Sequence, residues 1–137
     1  MVRKAESNDI ERILELENRY FKYPRQNIDV DDFLVKVIDG KICGYIDFKT
    51  VIDEGYIGNI AVDECYRRRG IGDELLEKSI EIAKEKHLEF LTLEVRKSNI
   101  PAVNLYSKHG FKEEGILKNH YSDPKEDALV MTVRKPF

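Results

Sequence analysis

The chain has 137 residues, and its 23 lysines and arginines against 26 acidic residues give a formal net charge of -3. Apolar residues are spread along this length, so we expect one compact domain over residues 1–137. The slightly negative charge excludes a general electrostatic match to nucleic acid or to anionic lipid, and any basic site must be local.

The two cysteines, Cys43 and Cys65, are too few for a disulfide framework and do not have metal-ligand spacing. We recognise no signal peptide and no apolar run of membrane length, so we expect a cytoplasmic protein without a metal site. Cys65 stands beside an arginine-rich turn, where an ordinary free thiol is the more frequent case and a reactive thiol stays open.

The first third of the chain predicts a strand and then a helix. Val2–Ala5 fits a short opening strand, and apolar residues repeat with helical spacing from Ile10. Asn8 and Glu11 have the spacing of a capping box, so we expect the helix to begin near Asn8. Residues 22–32 contain proline, asparagine and acidic residues, which predicts a loop or one irregular turn.

Three antiparallel strands are predicted next. The apolar segments 33–38 and 41–52 flank Asp39–Gly40, a pattern typical of a hairpin with a two-residue type I′ turn. A second turn at Asp53–Gly55 leads into a strand over 56–62.

The second half predicts two helices and three strands. Helical spacing from Ile71 predicts a helix that ends near Lys86 or His87. Asn99 can cap the next helix and Gly110 can end it in the left-handed region. The remaining apolar segments predict strands at 89–95, 111–121 and 128–135, with a loop at 122–127. The whole order predicts an α/β (α+β) fold, with a mixed, mostly antiparallel central sheet of about six or seven strands and helices on both faces.

Between the strand at 56–62 and the helix from Ile71 lies a turn that contains three arginines and is followed by two glycines. Backbone N–H groups and a partial positive charge mark a helix N-terminus, and glycine lets phosphate oxygens approach the backbone. Arginine side chains can add charge and bidentate hydrogen bonds. The turn therefore predicts an anion site made by Arg67, Arg68, Arg69, Gly70 and Gly72.

Other interpretations of this turn remain open. The spacing fits neither the dinucleotide G-x-G-x-x-G pattern nor the G-x-x-x-x-G-K-[ST] phosphate loop. An ordinary strand-to-helix turn with a solvated basic run is the alternative that needs no ligand. A nucleic-acid patch lacks support, because no second basic cluster or interleaved aromatic residue accompanies the turn.

The segment YRRRGIG resembles the R/Q-x-x-G-x-G/A acetyl-CoA loop of the GNAT acetyltransferases, with Arg67, Gly70 and Gly72 at the motif positions. Segments 59–77, 93–115 and 119–131 are similar to the RimI-type N-terminal protein acetyltransferases. The resemblance covers about the C-terminal two thirds of the chain with compatible spacing.

The resemblance implies an N-acetyltransferase that moves acetyl from acetyl-CoA to the N-terminal α-amine of a protein, by direct attack of the amine on the thioester. A ribosomal protein is the acceptor that it suggests. It also implies a general base at Glu94 and a tyrosine near the thioester sulfur at Tyr106. The coenzyme contacts that it implies are Ile60, Ala61, Val62, Arg67, Arg68, Arg69, Gly70, Ile71, Gly72, Asn99 and Tyr106. We expect a monomer or a weak homodimer.

The chemistry of the implied reaction agrees with these residue types. At pH 7.4 deprotonation costs about 0.5 kcal/mol for an α-amine with a reference pKa near 7.8, and about 4 kcal/mol for a lysine near 10.4. One carboxylate, acting directly or through water, is therefore a sufficient base, and a phenol can donate to the departing thiolate. Strand alternation places Glu94 on the face opposite Leu93. Without the resemblance, an ion pair of Glu94 with Arg96 or with another strand is the simpler interpretation, and Tyr106 is a half-buried helix aromatic.

The acceptor side departs from the family. Tyr23-Pro24-Arg25 replaces a Phe-Pro-Trp-like segment, the region up to Phe33 is too short for a full second helix, and His120 stands where another aromatic is usual. We expect Tyr23 and Tyr121 to contact the acceptor. A GNAT that acetylates a small amine or a lysine, and a non-catalytic acyl-CoA-binding module, remain alternatives.

Overall fold

The computed structural model describes all 137 residues, Met1–Phe137. The strands are β1 Val2–Lys4, β2 Phe33–Ile38, β3 Lys41–Val51, β4 Glu54–Val62, β5 Phe90–Arg96, β6 Lys112–Ser122 and β7 Lys125–Arg134. The α-helices are α1 Ile10–Tyr20, α2 Ile71–Glu85 and α3 Ile100–Lys108, and 3-10 turns cover Ser7–Asp9, Val30–Asp32 and Glu64–Tyr66.

The seven strands form one sheet in the order β1-β2-β3-β4-β5-β7-β6. β4 and β5 pair in parallel, whereas β1 with β2, β2 with β3, β5 with β7 and β6 with β7 pair antiparallel. The predicted mixed, mostly antiparallel sheet is confirmed. No helix has both the length and the apolar character needed to cross a membrane.

Contacts divide the chain into two compact units, residues 1–49 with 58–79 and residues 50–57 with 80–137. The single-domain assignment stays a prediction.

In the first unit, local sequence signals place the β2–β3 hairpin. Asp39 and Gly40 both have positive φ, at 50° and 76°, as a type I′ turn requires, so the predicted turn is confirmed. An added Cβ at Gly44 would lie 2.9 Å from the carbonyl oxygen of Ala61, so glycine lets β3 and β4 pack closely here. The core of this unit contains Ala5, Ile13, Leu16, Phe33, Val35, Ile42, Tyr45 and Ala61.

The start of α1 differs from the prediction. The helix begins at Ile10 after the 3-10 turn Ser7–Asp9, and the capping box joins Glu6 to Asp9 instead of Asn8 to Glu11. The carboxylate of Asp9 accepts the backbone N–H of Glu6 at 2.8 Å and also binds Arg3 at 2.7 Å. The ion pair with Arg3 stabilises Asp9 in the capping box, in place of the predicted pair Asn8 and Glu11.

The connection from α1 to β2 contains no second helix, as predicted, and a buried ionic group holds it. Arg25 donates to Glu17 and to Asp47, each at 2.7 Å, and its guanidinium lies 5.1 Å from the ring centre of Phe33. Glu17 is 1% exposed. Arg25 therefore pairs with two carboxylates and connects the segment between α1 and β2 to α1 and to β3.

In the second unit, β5 and β7 form a continuous antiparallel pair from Phe90↔Arg134 to Arg96↔Ala128. β6 and β7 run to Ser122 and from Lys125, so a turn at Asp123–Pro124 replaces the loop predicted at 122–127. The turn between β3 and β4 is Ile52–Asp53, not Asp53–Gly55, and Ile52 has φ 56°.

Strand β6 carries a bulge. Leu117 pairs with Ala128 and Tyr121 pairs with Glu126, so β6 advances four residues while β7 advances two. Asn119 lies in this bulge with φ 53°, and its backbone N–H donates to the carboxylate of Asp127 at 2.9 Å. Asparagine tolerates the left-handed region, so the bulge causes little backbone strain at this position.

Candidate active-site elements

The turn before α2 has the geometry of an anion site. Arg68 and Gly70 have positive φ, at 66° and 74°, and the Gly70 carbonyl accepts the N–H of Glu74 at 3.0 Å. Gly70 is therefore the N-cap, and the N–H groups of the first turn after it have no carbonyl partner inside the helix. An added Cβ at Gly70 would meet no atom within 4 Å, so the space beside this backbone is open.

Arg67 is ordered by two contacts, although it is exposed. Its Nε donates to the carbonyl of Val62 at 3.1 Å, and its guanidinium lies 4.7 Å from the ring centre of Tyr20. The Tyr20 hydroxyl in turn accepts the backbone N–H of Glu64 at 2.7 Å. The guanidinium of Arg69 lies 5.3 Å from the ring centre of Tyr66.

These features fit a diphosphate. An α-helix N-terminus, an open glycine and three exposed arginines, Arg67, Arg68 and Arg69, offer donors and positive charge at one turn. Coenzyme binding by the turn stays a prediction, and so do the expected contacts at Ile71 and Gly72, the first two residues of α2.

The end of β4 precedes this turn. The pairing of β4 with β5 covers Glu54–Ile57, and β4 then continues to Val62. Ala61 is 5% exposed, while Ile60 and Val62 are half-buried. The expected backbone contact of residues 60–62 with a coenzyme stays a prediction.

The second unit places Glu94 as the strand pattern predicts. Leu91, Leu93 and Val95 are buried on one face of β5, and Glu94 is exposed on the other. The Oε2 atom of Glu94 lies 2.8 Å from Nε2 of His120. Glu94 thus pairs with a residue of another strand, one of the two simple interpretations of the sequence.

The other simple interpretation, a pair of Glu94 with Arg96, is wrong. Arg96 Nη1 lies 3.3 Å from the Glu126 carboxylate and donates to the Pro124 carbonyl at 2.9 Å. The second Glu126 oxygen accepts the backbone N–H of Ser98 at 2.6 Å. These bonds from Ser98 and Arg96 lower the pKa of Glu126. Because Arg96 is paired with Glu126, the ion-pair partner of Glu94 is His120.

Two tyrosines accompany this pair. Tyr106 is 7% exposed and packs 5.8 Å from the ring centre of Phe111, and burial together with the nearby Tyr121 raises the pKa of Tyr106 to about 12. Tyr121 lies 5.0 Å edge-on to the His120 ring and 4.3 Å below the Arg96 guanidinium. Burial and then the charge of Glu94 raise the pKa of Tyr121. We refer to Glu94, Tyr106, His120 and Tyr121 as the carboxylate–tyrosine cluster.

The remaining predicted site residues are placed as follows. Asn99 caps α3, because its side chain accepts the N–H of Ala102 at 3.4 Å, so the predicted cap is confirmed. Its coenzyme contact stays a prediction. Tyr23 is 74% exposed on the connection that follows α1. Its acceptor contact also stays a prediction, as does that of Tyr121.

Two side-chain contacts in this structure are not predicted by neighbouring residues in the sequence. His120 lies beside Glu94 within the β6 bulge. The local sequence feature that indicates this bulge is Asn119, because asparagine tolerates a positive φ. The contacts of Arg25 depend on Glu17 and Asp47, which lie 8 and 22 residues away in the chain. No three His, Cys, Asp or Glu side chains are grouped as metal ligands.

Comparisons with known proteins agree with this fold and these elements. The model of the acetyltransferase (GNAT) family matches residues 4–111. A Bacillus subtilis (strain 168) protein, named as a candidate ribosomal protein bS18-alanine N-acetyltransferase, is 38% identical, and the match covers 96% of this chain and 93% of that protein. An N-alpha-acetyltransferase of Sulfurisphaera tokodaii is 36% identical, with 95% and 90% covered.

A solved structure extends the likeness to three dimensions. The crystal structure of the ribosomal-protein-S18-alanine N-acetyltransferase of Escherichia coli superposes with a TM-score of 0.87 at 30% identity, and the match covers 98% of this chain and 92% of that one. The chain belongs to the GNAT acetyltransferase family. Within that family it is similar to proteins named for acetylation of protein α-amines.

Proposed function

We propose that this protein is an acetyl-CoA-dependent N-α-acetyltransferase that acetylates a protein N-terminus, with an alanine-starting ribosomal protein as the first acceptor to test. One observation carries the proposal: relatives 36–38% identical over at least 95% of this chain are named for α-amine acetylation. A ribosomal acceptor follows from the names of the Bacillus and Escherichia coli relatives.

The residues divide the work in a way that suits this reaction. Bound acetyl-CoA supplies an acyl group activated as a thioester. Arg67, Gly70 and the first turn of α2 offer donors for its diphosphate. The carboxylate–tyrosine cluster offers a carboxylate, an imidazole and two phenols, which are groups that accept protons from an amine and donate hydrogen bonds to a developing thiolate.

The raised pKa of Tyr106 defines what its hydroxyl can do. A phenol with a pKa of about 12 keeps its proton throughout the physiological range. It is also a weaker acid than a thiol, whose reference pKa is about 8.5. We therefore assign Tyr106 the role of a hydrogen-bond donor that stabilises the thiolate, and full proton transfer is left to solvent.

The test uses a peptide with the first residues of ribosomal protein S18, beginning with alanine and containing one internal lysine. Intact-mass and fragment spectra after incubation with acetyl-CoA should show one acetyl group on the α-amine. The same peptide with a blocked N-terminus is the matched control and should remain unmodified. Acetylation of the lysine in the blocked peptide, or of a small amine alone, would instead support the alternative acceptor classes.

A non-catalytic binding module makes a different prediction. Such a module would bind acetyl-CoA in calorimetry but release no free CoA with any acceptor, and Glu94→Gln and Tyr106→Phe would change nothing. Direct attack on the thioester predicts that both substrates must be bound together. Double-reciprocal plots should then intersect, and no acetylated protein should form without the acceptor.

A further inference from the structure

The side chain of Arg96 joins three neighbouring strands in the second unit. Arg96 of β5 pairs with Ala128 of β7, and Glu126, which lies two residues earlier in β7, pairs with Tyr121 of β6. Side chains two residues apart in a strand point to the same face of the sheet. The register therefore places Arg96, Glu126 and Tyr121 on one face, where the long side chain of Arg96 reaches over β7 to β6.

The guanidinium of Arg96 holds the turn between β6 and β7. Its Nη1 atom donates to the carbonyl of Pro124 at 2.9 Å, and its Nη2 atom donates to the carbonyl of Asp123 at 3.3 Å. Nη1 also lies 3.3 Å from the carboxylate of Glu126. A guanidinium presents its N–H donors in a rigid plane, so partners on several sides fix its position.

The same guanidinium lies over the ring of Tyr121. The Cζ atom of Arg96 is 4.3 Å from the centre of this ring, and the ring of His120 meets it edge-on with the ring centres 5.0 Å apart. A cation over an aromatic face and an edge-on pair of rings are both attractive contacts. Tyr121 is half-buried, and these two contacts restrict the orientation of its ring.

Tyr121 is the residue through which this arrangement can affect catalysis. It is one of the two residues expected to contact the acceptor, and it lies near both residues to which the resemblance assigns the chemistry. Besides burial, which is the larger cause for each phenol, Glu94 raises the pKa of Tyr121 and Tyr121 raises that of Tyr106. A side chain at such a place contributes to acceptor binding only when its orientation is fixed.

We propose that Arg96 is a positioning residue for acceptor binding, which holds the β6–β7 turn and the ring of Tyr121 in the orientation that receives the acceptor. This inference rests on the proposed function. Arg96 acts through Tyr121, and its ion pair with Glu126 keeps the guanidinium in place for that task.

A purely structural role of Arg96 makes different predictions. If Arg96 only stabilised the hairpin, its loss would lower the free energy of unfolding without a selective effect on the KM of one substrate. Arg134 is the matched control, because it pairs with Glu114 at 2.7 Å and its guanidinium lies 5.4 Å from the ring centre of Phe90. It stands at the other end of the β5–β7 pair.

The first measurement tests the contact without any turnover. Aromatic ¹H–¹³C spectra follow the ring of Tyr121, whose resonances are assigned by their absence in Tyr121→Leu. Methionine is unbranched like arginine but has neither charge nor N–H donors. The Tyr121 resonances should move in Arg96→Met and keep their wild-type positions in Arg134→Met. Unmoved resonances in Arg96→Met would overturn the inference.

The second measurement separates the two substrates by steady-state kinetics. In Arg96→Met we expect the KM for the acceptor peptide to rise by about 10-fold, while the KM for acetyl-CoA stays within about 2-fold of the wild type. Arg134→Met should keep both values. Arg96→Lys should retain most of the increase, because an ammonium group does not reproduce the planar set of donors. An equal rise for both substrates, or full recovery in Arg96→Lys, contradicts the positioning role.

A double-mutant cycle tests whether Arg96 acts through Tyr121. Tyr121→Leu should itself raise the KM for the peptide. Adding Arg96→Met to Tyr121→Leu should then raise this KM by less than about 2-fold more, since the ring that Arg96 positions is already absent. Losses that multiply in the double variant would show that the two residues act independently, and the inference would be wrong.

The acceptor in these measurements is the one that the wild type acetylates. Acetylation of a lysine or a small amine alone would refute N-terminal acetylation, and the same cycle on that acceptor would still decide the role of Arg96. An unchanged acceptor KM in Arg96→Met, with an active wild type, refutes the positioning role alone. A wild-type protein that acetylates no acceptor refutes both.

Discussion

Arg12 and Asp63 join the first helix to the residue that follows β4. Nη2 of Arg12 lies 2.6 Å from the Asp63 carboxylate, and Nε of the same arginine donates to the carbonyl of Ile42. Asp63 is 5% exposed and also accepts the N–H of Cys65, which lies in the 3-10 turn before the arginines. The turn before α2, which is the predicted anion site, therefore follows a charge-paired residue held by α1.

Removal of this anchor should weaken both the fold and coenzyme binding. Asp63→Ala leaves Arg12 without its buried partner, and we expect the free energy of unfolding to fall by about 3 kcal/mol. The KM for acetyl-CoA should rise, because the turn loses its defined start. Urea unfolding and steady-state kinetics measure the two effects. Asp31→Ala, an exposed position in another 3-10 turn, is the control, and an equal effect there would contradict the role of Asp63.

The glycines Gly70 and Gly40 offer a matched pair for testing the anion site. Their φ angles are 74° and 76°, and an added Cβ would meet no atom within 4 Å at either one. Alanine at either position should therefore cost about 1 kcal/mol of backbone strain. Gly70→Ala alone should also weaken acetyl-CoA binding, by about 10-fold, because its methyl group occupies the approach to the first turn.

Calorimetric titration with CoA separates these effects. Equal loss of stability with unequal loss of CoA affinity is the expected result. If Gly40→Ala and Gly70→Ala bind CoA equally well, the turn before α2 is not the diphosphate site.

Acid should destabilise the protein through Asp9 and Asp63. Arg3 lowers the pKa of Asp9 and Arg12 lowers that of Asp63, each with a backbone N–H contributing. A depressed carboxyl pKa contributes stability that is present above the unfolded value near 3.9 and is lost as the pH falls through the folded value. The free energy of unfolding should therefore drop steeply below about pH 4.

Asparagine variants measure this contribution. Asp9→Asn and Asp63→Asn should each be less stable at pH 6 and should show a flatter decline between pH 5 and 2.5. Asp31→Asn, an exposed position outside both ion pairs, is the matched control. An unchanged slope in both buried-site variants would show that other carboxyl groups govern acid unfolding.

Tyr106→Phe tests the hydroxyl of the buried tyrosine. We expect kcat to fall by about 10-fold to 100-fold, because the thiolate loses a hydrogen-bond donor, while the stability changes little. Because the pKa of Tyr106 is raised to about 12, kcat/KM of the wild type should stay level from pH 8.5 to about 10. A decline over that range that disappears in Tyr106→Phe would contradict the assignment.

The elements that the sequence predicts best are those set by neighbouring residues. Asp39–Gly40 determines its turn locally, Asn99 and Gly110 bound α3 locally, and the alternation along β5 predicts the side on which Glu94 lies. The spacing of Arg67, Gly70 and Gly72 likewise identified the turn before α2. The family resemblance supplied the roles that spacing alone left open.

The features that the sequence predicts wrongly, or does not predict, depend on contacts between residues that are not neighbours in the chain. The cap of α1 moved to Asp9 because Arg3 selects that carboxylate. Much of the loop predicted after β6 is strand, because Lys125 and Glu126 pair with Ser122 and Tyr121 across the turn. The partner of Glu94 is 26 positions away and reaches it only because two extra residues are inserted in β6. No local pattern encodes such a register.

The same insertion affects how the outer side of β6 can meet other chains. β6 is the last strand of the sheet, and it exposes Ile116 and Leu117. A long regular margin of this kind invites pairing with a neighbouring polypeptide. The bulge that contains Asn119 interrupts this margin, and such bulges disfavour pairing with a further straight strand. We therefore expect the bulge that brings His120 beside Glu94 also to disfavour edge-to-edge association between copies of this chain.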